Sequence, residues 1–168
     1  MELMIDVVNR KDEVIGQIPE SQVHKNVEVI TRAVTVLVYN SKGEILLQKR
    51  SKKMWRFPLH WTASASGSVN QGEEPITAAI RELKEEVGVE VKEEDMTFLF
   101  KKYTEDDIKH IIYAYKTVIN KVKDVSNPEV DSVKYFSIKK IREMIKNKEK
   151  ISPFFLGVFN IIYDFHDD

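Results

Sequence analysis

Cysteine is absent from this chain of 168 residues, which excludes a disulfide framework, a thiolate metal site and a cysteine nucleophile together. A reducing interior suits such a chain. Charge of one sign is also lacking. The 26 basic and 27 acidic side chains leave a formal net charge of -1, so nothing advertises nucleic acid or an anionic membrane as a partner. The longest apolar run, FFLGVFNIIY, spans ten residues and includes Asn160, well short of the roughly 20 needed to cross a bilayer. MELMIDVVNR carries Glu2 and Asp6 where a signal peptide needs a basic start and a long apolar core. From these absences we expect a cytoplasmic protein. Repeats, low-complexity tracts and long linkers are missing too. With 42% apolar and 32% charged residues, residues 1–168 suit one domain with a sizeable core.

What is present alternates between strand and helix signals. MIDVVN (4–9) and EVIGQI (13–18) read as a short hairpin, followed by one helical turn in ESQVHKN. AVTVLVYN (33–40) and EILLQKR (44–50) are stronger strands joined by an Asn-Ser-Lys-Gly turn. TFLFKKY (97–103), HIIYAYKTVI (110–119) and VKYFSI (133–138) give three more. IKKIREMIKNK reads as a helix, and a last helix opens with Ser152 as cap and Pro153 at its first position. This mixed order predicts an α/β fold, a mixed β-sheet covered by helices on both faces.

Between the strands lies GSVNQGEEPITAAIRELKEEVGV, residues 67–89. Pro75 suits a first helical turn, and Gly88 suits the left-handed position just past the end. Ile76, Ala79, Ile80, Leu83 and Val87 form one apolar stripe at helical period, which packs on the sheet. Glu82, Glu85 and Glu86 fall within roughly a 100° arc beside that stripe. Carboxylates near a helix C-terminus are repelled by the helix dipole and by one another. Such a cluster wants a cation, and hard oxygen ligands point to Mg2+ or Mn2+. Arg81, four residues before Glu85, is placed to hold that carboxylate in one rotamer.

Gly67, Glu73, Arg81, Glu82, Leu83, Glu85, Glu86, Gly88 and Val89 match every specified position of the Nudix box, G-x5-E-x7-R-E-U-x-E-E-x-G-U. The chain therefore resembles the Nudix hydrolases from about Val27 onward. The resemblance implies an α/β/α sandwich with a loop-helix-loop catalytic box that binds divalent metal and cleaves a nucleoside diphosphate linked to a further group. It implies metal held by Glu82, Glu85 and Glu86, with a carbonyl from Ser66 or Gly67 completing the set. Glu82 is then a candidate base for the attacking water. Other members place the base in a later loop, where Glu129 stands here. Glu73 reads equally as a helix N-terminal acid favoured by the dipole.

The loop QKRSKKMWRFPLHWTASAS mixes cations with aromatics. Arg50 is a candidate for a substrate phosphate, with Arg56 beside it, and Trp55 for stacking on a base. Lys52 and Lys53 read as solvated, His60 as a loop histidine, Trp61 as core beside the box, and His24 as a surface histidine. The LLQKRS run, the tryptophan and the box also resemble the isopentenyl-diphosphate isomerase branch. Those isomerases carry a Cys before the box glycine and a His after it, where this chain has Ser66 and Ser68, and a further His where Thr31-Arg32 stands. Serine protonates an alkene far less readily than a thiol. The departures imply a hydrolase on an isomerase-like scaffold, acting on a small-molecule diphosphate. An isomerase and a non-catalytic binding module are the other two readings. The apolar last helix is expected to be buried in the fold, with a homodimer surface as the alternative.

Overall fold

The computed structural model describes residues 1–106, 108–123 and 125–164. Its centre is β3 (Ile30–Tyr39), whose β-branched run favours an extended backbone. One edge of β3 pairs in parallel with β8 (Lys109–Val118) along its whole length, and β7 (Thr97–Glu105) pairs antiparallel beyond it. Three antiparallel partners share the opposite edge. They are β1 (Met4–Val8) at its start, β6 (Ala65–Ser68) in the middle and β4 (Ile45–Arg50) at its end. β2 (Val14–Pro19) extends the sheet beyond β1, while β9 (Val130–Phe136) and the short β5 (Trp61–Thr62) both pair with β4.

Alternation along the strands feeds two cores, because successive side chains point to opposite faces. Val34, Val36, Val38 and Leu46 pack with Ala78, Ala79, Leu83 and Val87 of the box helix. Leu37, Ile45 and Leu47 pack on the other face with α3 (Ile138–Lys146) and α4 (Pro153–Tyr163). Helices thus cover both faces of a mixed sheet, as expected from the alternating signals. α4 is capped by the Ser152 hydroxyl, which accepts from Phe155 N at 3.2 Å. Its Phe155, Val158 and Phe159 are buried, so the apolar last helix is core.

Several boundaries differ from the sequence reading. β3 begins at Ile30 rather than residue 33, β9 spans Val130–Phe136 rather than 133–138, and Ile138 already belongs to α3. The box helix is α2 (Pro75–Glu82), continued by a π-helical turn Leu83–Val87. Gly88 closes it at φ 70°, the left-handed position assigned to it. The N-terminal hairpin is followed by α1 (Glu20–Val23) and has a small core of its own, Ile5, Ile18 and Val23, closed by Ile108. Asp12 in the hairpin turn is the hub of a second attachment. It binds Arg32 Nε at 2.6 Å, Lys101 Nζ at 2.5 Å and the Tyr113 hydroxyl.

Candidate active site

The box loop leaves the sheet through β6, and α2 returns across it, so Gly67 faces its own helix. A Cβ at position 67 would overlap the Glu82 carboxylate. Glycine at 67 is thus what allows that carboxylate to lie against the strand. Glu82 itself is buried.

Arg81 organises the acids around it. Its Nε and Nη2 grip Glu73 at 2.9 and 3.0 Å, and Nη1 binds Glu82 Oε1 at 2.6 Å. Nη2 also donates to the Ser68 carbonyl at 2.9 Å, fixing the helix to the end of β6. Glu73 Oε2 accepts from Asn70 N at 2.9 Å, and Arg81 outweighs burial to hold the Glu73 carboxyl below the usual range. The expected Arg81–Glu85 contact exists, but at 3.5 Å it is the longest of the set. The planar fork prefers the bidentate partner. Glu73 is thus an ion-pair partner, and the dipole account of it is incomplete.

Glu86 lies on the next turn beneath β4. The buried Gln48 side chain donates both to the Ser64 carbonyl, at 3.1 Å, and to Glu86 Oε2. Ser66 N donates to the same carboxylate oxygen at 3.3 Å. Sequence reading missed Gln48, since one glutamine within a strand carries no signal until its partner is seen. Burial pushes the Glu82 carboxyl up to about 7, against the pull of Arg81. Burial and then the charge of Glu82 push Glu86 up to about 8.

Glu85, by contrast, leaves 55% of its side chain exposed. Among the described residues no three acidic or histidine side chains are gathered closely enough to enclose a cation. Glu85 and Glu86 sit in the π turn, a form that recurs at functional sites. Glu82 and Glu86 are therefore the inner pair and Glu85 stands at the rim. Two buried carboxyls, one against Gly67 and one on Ser66 N, are a hard-donor set that fits Mg2+ or Mn2+.

Beside Gly67 opens a cavity of about 360 Å3, bordered by Arg50, Trp55, Arg56 and Glu129 among others. This brings the sequence-selected substrate residues together at the box. Burial depresses the Arg50 guanidinium, opposed by the charges of Glu86 and Glu129, and its Nε donates to the Arg56 carbonyl at 3.0 Å. Glu129 precedes β9, is exposed, and its carbonyl accepts from Ser51 N at 2.8 Å. Arg56 lies over Trp55 and Phe57, 5.5 and 5.4 Å from the ring centroids. Lys52 and Lys53 are exposed, and His60 binds the Pro58 carbonyl within its own loop, as read from sequence. Trp61 is core, but on the α3/α4 face with Phe136 rather than beside the box, because β5 turns it across β4. His24 is exposed, yet it packs edge-on against Trp55 and borders the cavity.

The NUDIX domain profile matches residues 29–155. The chain belongs to the Nudix family. An isopentenyl-diphosphate Delta-isomerase 1 of Photorhabdus laumondii is 28% identical over 169 residues, covering 96% of each protein. An uncharacterized Nudix hydrolase of Listeria innocua is 32% identical over 124 residues, covering 74% of this chain and 73% of that protein. The crystal structure of DR0079 from Deinococcus radiodurans superposes with a TM-score of 0.81 at 21% identity, over 95% of this Nudix chain and 99% of the other. That likeness extends the shared fold through the N-terminal hairpin. No helix among the described residues is long and apolar enough to cross a membrane.

Proposed function

We propose that this Nudix protein is a metal-dependent hydrolase that cleaves the diphosphate linkage of a nucleoside diphosphate derivative, or of a related pyrophosphate, by attack of water on phosphorus. One observation carries the reading: two buried carboxyls with raised proton affinity lie against β6, Glu82 beside Gly67 and Glu86 on Ser66 N, where that strand borders a cavity that also presents Arg50. Magnesium or manganese, held by Glu82 and Glu86 with Glu85 and the Gly67 carbonyl at the rim, would neutralise the substrate phosphates and polarise a phosphoryl oxygen.

The protein's own groups do the remaining work. Arg81 fixes the Glu82 carboxylate, so that it meets a ligand in one orientation. Gln48 and Ser66 N do the same for Glu86. Arg50 offers a cation to the phosphate chain. Glu82 is the first candidate to accept the proton of the attacking water, with Glu129 in the later loop as the second.

The isomerase reading has one argument in its favour, the full-length similarity to an isopentenyl-diphosphate isomerase. Against it stand Ser66, whose hydroxyl is a poorer proton donor to an alkene than the Cys of those isomerases, and Ser68, which stands where they carry a metal-binding His. Incubation with Mg2+ or Mn2+ and a panel of nucleoside diphosphate derivatives plus a prenyl diphosphate separates the readings. Release of phosphate or nucleotide, abolished in Glu82→Gln and Glu86→Gln, supports the hydrolase. Isomer formation without phosphate release, or full activity in both variants, contradicts it.

A further inference from the structure

Residues 1–28 lie outside the span that the family profile matches, yet they reach the cavity. Besides the pairing of β1 with β3, the hairpin is docked through side chains and its turn. Its core closes on Ile108, Asp12 binds Arg32 and Lys101, and Asp6 Oδ2 accepts from Gly72 N at 2.9 Å in the box loop. Gln71 N donates to the Met4 carbonyl at 2.9 Å alongside. α1 is therefore carried to a defined position, with His24 against Trp55 at a ring separation of 5.2 Å and an interplanar angle of 71°.

Trp55 leaves 71% of its surface exposed, against the high average burial of tryptophan. Its loop holds Phe57 and Leu59 at positive φ, 48° and 59°, strain that persists only where the surrounding structure fixes the loop. Ile108 and Phe154 share the wall beyond with polar groups: Thr104, Asp106 and His110, whose Nδ1 pairs with the Thr31 hydroxyl at 3.1 Å. A hydrocarbon chain would strip water from these groups and return no hydrogen bonds. A nucleoside offers a flat ring for the indole and hydroxyls or ring nitrogens for the polar wall.

We propose that the N-terminal segment is the specificity element of this enzyme, with His24 and Trp55 clasping the nucleoside of the substrate while the diphosphate reaches the box. The inference rests on the hydrolase reading above. His24 acts here as a specificity residue, through its contact with Trp55.

The test uses the full chain with Mg2+ and two substrates, a nucleoside diphosphate derivative and methyl diphosphate, which has no nucleoside. His24→Ala is expected to raise KM for the first about tenfold with kcat little changed, and to move KM for the second less than about twofold. His24→Gln, which keeps a hydrogen-bonding group, recovers part of the loss. Equal effects on both substrates, or a lower wild-type KM for a prenyl diphosphate than for the nucleotide, overturn the proposal. Fluorescence titration with a nucleoside monophosphate measures nucleoside binding without turnover. Quenching is expected in wild type, reduced in His24→Ala and lost in Trp55→Phe, and undiminished quenching in both variants overturns the inference. Absence of all diphosphate hydrolysis counts against the hydrolase reading alone.

Discussion

A methyl group at position 67 would overlap the Glu82 carboxylate. The far end of a glutamate moves more easily than a backbone, so Gly67→Ala is expected to displace Glu82 rather than unfold the protein. Turnover should fall at least about tenfold, while urea unfolding shifts by less than about 1 kcal/mol. Arg81 makes the opposite case. It joins two carboxylates that are largely buried, with side-chain exposures of 13% for Glu73 and 11% for Glu82. Lysine cannot reproduce the fork. Arg81→Lys should cost about 2 kcal/mol of stability as well as activity, and a variant of unchanged midpoint in urea would refute that role. The individual acids were legible from their spacing alone. Their partners were not, because Gln48 and the Asn70 amide are brought to them by strand pairing and a loop, neither of which leaves a local pattern.

At the scale of elements, the box helix and β4 face each other through Gln48 and Glu86. Gln48→Leu keeps the shape of a buried strand residue and removes the donor, leaving Glu86 without its closest partner. Metal affinity is expected to weaken about tenfold or more, with circular dichroism unchanged, and equal affinity would show that Ser66 N suffices. The stripe of Ile76, Ala79, Ile80, Leu83 and Val87 located this helix, and its core side emerged as read, with Ala78 added. The π turn was illegible, since no residue in LKEEV marks a widened turn. β5 and β6 were hidden for a related reason. Two to four residues are too few to display a period, and Ser64 to Ser68 read as loop until β3 is laid beside them. The apolar last helix was legible as buried, and its burial should be expensive to disturb. Phe155→Ala is expected to cost about 3–5 kcal/mol, independent of protein concentration, whereas concentration dependence would mark a subunit interface.

For the molecule as a whole, the two inner carboxyls make stability depend on pH in a definite direction. Each binds its proton more tightly folded than unfolded, where glutamate stands near 4.5. Their contribution is complete below about pH 4.5 and is lost as pH rises through the folded values near 7 and 8. The metal-free protein should therefore lose stability steadily between roughly pH 5 and pH 8, and added Mg2+ should restore more at the upper end than at the lower. Thermal scans at both pH values, with and without the ion, measure this. The measurement that bears most directly on metal binding by the inner acids is a Mn2+ titration followed by electron paramagnetic resonance at about pH 8, on wild type and on Glu82→Gln and Glu86→Gln. Saturable binding at millimolar concentrations or below, weakened at least about tenfold in each variant, is the expected result. No binding, or binding that neither substitution disturbs, would contradict it.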